Sequence, residues 1–118
     1  MMRNFKDYGI HMEETHHTQK LDTPSGTAIT LAEDIIENSS KNKWTLDVTD
    51  SKDEIPIVSK RIDNVPGIHN VTYNSLVDEI EIKHTAKSRD GFALGAVVAA
   101  EWLHDKKGVY TMKDVLGI

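Results

Sequence analysis

The sequence predicts an α+β domain, with a mostly antiparallel or mixed sheet of about four strands and helices on one face. Four short stretches read as strands, two of them by a clear period of two, and two longer stretches place apolar residues at helical spacing. Their order is strand, helix, several strands, helix, which groups the strands instead of alternating them regularly with helices.

The first strand is predicted over Tyr8 to Thr15. Tyr8, Ile10, Met12 and Glu14 fall on one side, and His11, Glu13 and Thr15 on the other, as a strand with one buried face requires. A polar stretch, His16 to Thr23, ends it before Pro24. A helix then follows from Ala28 to Asn38, with Ile29, Leu31, Ala32, Ile35 and Ile36 at helical spacing. Pro24 and Ser25 signal its start, since proline lacks an amide that would go unpaired there and serine can cap free ones. Trp44 to Glu54 reads as connection.

Ile55 to Asp63 is the second strand, where Pro56 suggests an edge or a strand start. Val65-Pro66-Gly67 is a turn, and His69 to Ser75 the third strand. Val77 to Lys87 alternates again and is the fourth. Gly91 to His104 is apolar nearly all round, so it predicts a deeply buried helix. Thr111 caps a final short turn over Met112 to Leu116.

At 118 residues the chain has the size of one domain. Its net charge of −5 and its scattered 14 basic residues argue against a nucleic-acid partner, because phosphate binding needs concentrated positive charge. No apolar run approaches the roughly 18 to 20 residues of a membrane span, and Met1 to Asp7 has no signal-peptide core. The absence of cysteine excludes disulfides, thiolate metal sites and a cysteine nucleophile, and fits a cytoplasmic location.

One segment concentrates chemistry. Glu14-Thr15-His16-His17-Thr18-Gln19-Lys20-Leu21-Asp22-Thr23-Pro24-Ser25-Gly26-Thr27-Ala28 holds two imidazoles, an ammonium, two carboxylates and a helix start. A helix N-terminus offers unpaired N–H groups and partial positive charge to a carboxylate or phosphate. Gly26 lets a ligand approach the backbone, Ser25 and Thr27 add hydroxyls, and Lys20 adds a full charge. A histidine at a strand end can donate a proton near neutral pH. The combination describes a pocket for a small anion with a proton donor beside it. Taken singly, the His-His pair reads as a polar loop and Pro-Ser-Gly-Thr-Ala as an ordinary helix start; their adjacency, with Lys20 between, favours the site.

Three sharper readings fail. A P-loop needs G-x-x-x-x-G-K-[ST], and a serine nucleophile elbow needs G-x-S-x-G; the chain has neither. A zinc site could recruit His16, His17, His11 or Glu14. However, adjacent strand residues face opposite ways, and neither H-E-x-x-H nor H-x-H occurs, so no metal is expected.

The same segment closely resembles the E-x-H-H-x-x-K-x-D-A-P-S-G-T-A signature of dihydrodipicolinate reductases. Ile82 to Ala93 (IKHTAKSRDGFA) is similar to the family's I-x-H-x-A-x-S-R-x-x-F-A segment, and Gly108 to Gly117 (GVYTMKDVLG) to its end. Thr23 stands where alanine is usual. Between the motifs, residues 55–78 fit in length and strand pattern more than in identity.

The resemblance implies the C-terminal, substrate-binding and oligomerising domain of an enzyme that reduces 4-hydroxy-tetrahydrodipicolinate with NAD(P)H, on the route to diaminopimelate and lysine. It implies His16 as proton donor and Lys20 as second catalytic residue. His17, Ser25, Gly26, Thr27 and Arg89 would bind substrate, Arg89 matching a family arginine near the domain junction. The family's first domain is Rossmann-type with a Gly-rich turn, and no G-x-G-x-x-G follows a strand here. The expectation is therefore a chain beginning just before the second domain: able to hold dicarboxylate, binding no cofactor and inactive alone, its residues from about 90 to 118 belonging structurally with the absent domain. Self-association into a homotetramer or dimer through the sheet is expected. The helix after Arg89, short of its usual cover, should repack on another copy or move freely.

Overall fold

A computed structural model describes residues 8–118, which contain five strands and three helices. In chain order these are β1 (Gly9–His16), α1 (Gly26–Glu37), β2 (Lys43–Leu46), β3 (Glu54–Arg61), β4 (Gly67–Asn74), β5 (Glu79–Ala86), α2 (Asp90–Leu103) and α3 (Met112–Leu116). The described residues divide into two compact units, which part between Lys87 and Ser88. Among the described residues no helix is long and apolar enough to cross a membrane.

The α+β class is the predicted one. The sheet runs β2-β3-β1-β4-β5, so β1 is its central strand. It is mixed: β3 lies parallel to β1 and to β2, whereas β4 is antiparallel to both β1 and β5. The fifth strand is β2, in the stretch predicted as connection. Four residues are too few to reveal a period, and β2 is recognisable only by its pairing, Lys43↔Glu54 through Leu46↔Ile57.

Pro56 does not mark an edge, because β3 lies between β2 and β1. It marks a strand start instead. Pairing with β1 begins at Met12↔Ile57, one residue beyond the proline. The Asp53 and Ile57 carbonyls accept from Asn42 and Asp47 on the β2 side, so alternation aims position 56 the other way, where no rung is lost.

Period-two phasing builds the core. Ile10 and Met12 of β1, Ile55 and Ile57 of β3, and Val71 and Tyr73 of β4 share one face and pack with Ala28 and Ala32 of α1. Leu31, Ile35, Ile36 and Trp44 close its margin. The same phases then turn polar: β1 continues to Glu14 and His16, β3 to Ser59 and Arg61, and β4 back to His69. One end of the covered face is oil, the other a cluster of ionisable groups.

The second unit corrects one expectation. α2 contains no buried residue, although its sequence predicts deep burial. Phe92, Leu94, Val97, Val98 and Leu103 are 45 to 64% exposed. Periodicity reports only that a helix needs cover, and α3, five residues long, is too short to provide it. The predicted cap on α3 is present: Thr111 and Asp114 form a capping box.

Candidate functional site

The polar end of the covered face is assembled by strand register. His16 pairs with Arg61 across β1 and β3, and Glu14 pairs with His69 across β1 and β4. Glu14 is fully buried and His16 nearly so. A buried carboxylate needs compensation, and both its oxygens have it. Nδ1 of His16 donates to Oε2, and Nη1 of Arg61 donates to Oε1 at 2.9 Å. Burial alone would raise the Glu14 carboxyl; Ser59, opposite it on β3, and the Arg61 guanidinium outweigh burial and hold it below the usual glutamate range.

Arg61 also reaches the segment between β1 and α1. Its Nε donates to the Lys20 carbonyl at 3.3 Å, and Nη2 donates to the Asp22 carbonyl at 2.6 Å and to Thr23 Oγ1 at 3.1 Å. The loop is pinned further by Thr18 Oγ1 donating to Asp63 at 2.5 Å and by the Lys20 amide donating to the His17 carbonyl at 3.1 Å. Lys20 thus sits on a fixed loop, its Nζ 2.9 Å from Oδ1 of Asp22. That ammonium holds the Asp22 carboxyl below the ordinary aspartate range, with the Gly26 amide a lesser contributor. A carboxylate therefore already pairs with the Lys20 charge, on the loop just before α1.

Ser25 is the N-cap of α1 and is buried; its hydroxyl accepts from the Ala28 amide at 3.3 Å. The same oxygen lies 3.2 Å from Nε2 of His69. The His69 ring stands edge-on to that of His16, 5.0 Å between centroids. Burial, and then the neighbouring His16, push the His69 imidazole below its ordinary value, which favours a neutral ring accepting from Ser25. Gly26 and Thr27 open the first turn, are exposed, and share it with no acidic residue. A Cβ built on Gly26 would meet nothing within 4 Å, so nothing within the protein demands glycine there.

Of the residues singled out from sequence, His16, Lys20, Ser25 and Gly26 fall in this one neighbourhood, linked through Glu14, Arg61, Asp22 and His69. His17 is half-buried on the same loop, and Thr27 is exposed on the first turn of α1. Arg89 belongs to the second unit, at the N-cap of α2, where its carbonyl accepts from the Phe92 and Ala93 amides at 3.1 Å. Sequence reasoning missed Arg61 and His69 as site residues, and gave Glu14 no role of its own. The available signal was phase: each lies in register with a buried apolar run, Glu14 with Ile10 and Met12, Arg61 with Ile55 and Ile57, His69 with Val71 and Tyr73.

Glu14, His16 and His69 bring one ligand atom each within 4.8 Å of the others, close enough for a metal ion. Arg61 already supplies the positive charge at that carboxylate, and the Nδ1 proton of His16 occupies its other oxygen. Glu14, His16 and Arg61 thus form a hydrogen-bonded ion-pair network, which suits proton handling better than metal ligation.

Residues 1–116 match the family model described as dihydrodipicolinate reductase, C-terminus. Among curated relatives, the 4-hydroxy-tetrahydrodipicolinate reductase of Christiangramia forsetii is 66% identical over 117 residues, covering 98% of this chain and 48% of the relative. The proteins of that name from Methanosarcina barkeri and Aquifex aeolicus are 42% and 41% identical, over 95% and 96% of this chain and 44% of each relative. The chain therefore spans about half the length of the curated relatives it matches. A solved structure, dipicolinate-bound dihydrodipicolinate reductase from Paenisporosarcina sp. TG-14, shares the fold with a TM-score of 0.68 at 24% identity, over 96% of this chain and 46% of that one.

Proposed function

The chain belongs to the dihydrodipicolinate reductase C-terminus family, and on that premise we propose that it is the substrate-binding domain of a cytoplasmic reductase acting on 4-hydroxy-tetrahydrodipicolinate, a cyclic dicarboxylate, in diaminopimelate and lysine biosynthesis. The observation that carries the reading is the Asp22 carboxylate paired with the Lys20 ammonium at 2.9 Å, on the loop that leads into α1. A ligand carboxylate of the same chemistry can take its place, drawn by the start of α1 and by a charge-assisted bond from Lys20. Open space around Gly26 allows close approach to the backbone.

In this reading Gly26 and Thr27 hold one carboxylate through amide and hydroxyl donors, with Ser25 fixing the turn behind them. His17 binds the substrate from the loop. His16, protonated, donates its proton to the ring being reduced, a step for which general acids contribute about 10²- to 10⁴-fold. Lys20 serves as clamp and as second catalytic residue.

The reducing equivalent in this proposal is a reduced nicotinamide, NADH or NADPH. The chain has no Gly-rich turn after a strand with which to hold a dinucleotide, so no step through that group is assigned to its residues. By itself the chain is a dicarboxylate-binding and assembly module, forming a homotetramer or dimer through its sheet, and it does not turn over.

Calorimetric titration with pyridine-2,6-dicarboxylate tests the proposal. Saturable binding, lost in His17→Ala and in Thr27→Val, is the expected result. No binding to the unaltered chain would overturn it.

A further inference from the structure

We infer that Glu14 is a positioning residue for both candidate reactive groups: it fixes the His16 ring with Nδ1 as the protonated nitrogen, and through Arg61 it fixes the loop that carries Lys20. The inference rests on the function proposed above and adds to it a residue that would not touch the ligand.

The position invites an apolar residue. Glu14 follows Ile10 and Met12 in the same strand phase, and its side chain is 1% exposed. Ion pairs at such depth are often no more stabilising than well-packed hydrophobic residues of equal volume, so stability alone does not explain a carboxylate there. What the carboxylate does is orient two neighbours. An ionised glutamate only accepts hydrogen bonds, so its contact with His16 requires the proton on Nδ1. Nε2 is then the nitrogen that carries the transferable proton when the ring is charged and a lone pair when it is neutral. The other oxygen receives Nη1 of Arg61 at 2.9 Å, which sets the plane of the guanidinium. The remaining edge of that plane binds the Lys20 carbonyl, the Asp22 carbonyl and Thr23 Oγ1. One buried anion thereby orients the ring at the end of β1 and the backbone on either side of Leu21.

The surrounding charges are compatible with this role. From β3 comes Arg61, and from β4 His69, which turns its Nε2 to Ser25. Burial, and then His16, disfavour a charge on His69 and outweigh the opposing pull of Glu14, while the two Glu14 oxygens take their hydrogen bonds from His16 and Arg61.

The histidine ring nitrogens of the ¹⁵N-labelled chain test the inference by NMR. In the unaltered protein, neutral His16 should show a protonated Nδ1 and an unprotonated Nε2; the opposite tautomer would overturn it. In Glu14→Gln and in the apolar Glu14→Leu, that tautomer preference should weaken and the amides of residues 20–23 should exchange faster. Affinity for pyridine-2,6-dicarboxylate should fall roughly tenfold, the scale of one lost charge-assisted bond. Folded variants with the native tautomer and unchanged loop protection would also overturn it. If neither variant folds, the tautomer of the unaltered chain decides. Failure of that chain to bind dicarboxylate would instead count against the proposed function, while tautomer and protection judge Glu14 separately.

Discussion

Nη1 of Arg61 lies 2.9 Å from Oε1 of Glu14, joining the end of β3 to the centre of the sheet. The Glu14 side chain is 1% exposed and that of Arg61 20%. Removing the guanidinium leaves an unpaired buried carboxylate and releases the loop from Lys20 to Thr23. Arg61→Met is expected to cost about 3 kcal/mol of unfolding free energy, the lower end of the range for broken buried pairs, because Arg61 is partly solvated. Urea denaturation measures it, and an effect below about 0.5 kcal/mol, the range of ordinary surface substitutions, would contradict the network.

Stability should fall as the solution is acidified below pH 6.5. His69 has a folded value below its ordinary 6.5, so the unfolded chain takes up that proton first. Its contribution is complete above 6.5 and is lost as pH drops through the folded value. Glu14, also depressed, adds a second loss below its ordinary 4.5. Denaturation midpoints at pH 7.5, 6 and 5 should decline, and His69→Gln should flatten the upper part of that decline.

Gly26→Ala separates folding from binding. With open space at the Cβ position and no strained φ, alanine should be neutral or stabilise by up to about 1 kcal/mol. Its methyl group would nonetheless stand where a ligand carboxylate approaches, and dicarboxylate affinity should drop. Thermal melting and calorimetry on the same sample give both answers; unchanged affinity would remove Gly26 from the site.

Ser25→Ala should lower stability by about 1 kcal/mol or somewhat more. It removes the α1 cap and strands the Nε2 of His69, which Ser25 faces at 3.2 Å. A melting temperature equal to that of the unaltered chain would argue against the cap.

The apolar residues of α2 predict its behaviour in dilute solution. With none of them buried, its amides should exchange faster than those of β1 in a monomer, unless association covers them. Light scattering at micromolar concentration, paired with hydrogen exchange, distinguishes the two. A monomer in which α2 is as protected as β1 would contradict both.

Much of the candidate site is legible along the chain because its parts are contiguous. His16, Lys20, Ser25 and Gly26 lie within eleven positions, and a loop joining a strand end to a helix start can hardly scatter them. Arg61 and His69 were not legible. Each is one polar residue at the end of an apolar run, and nothing local distinguishes it from a strand terminus reaching solvent.

Sequence by itself determined the α+β class, the helix cap at Ser25, the apolar face of β1, and the concentration of ionisable groups between residues 14 and 28. Those properties depend on neighbours a few positions away, where side-chain period and capping chemistry act. Only the tertiary structure decided which strands pair, that β3 runs parallel beside β1, and hence that Arg61 and His69 flank Glu14. Register is a long-range choice, made by the fit of whole faces against α1, and the partners of a buried charge follow from it.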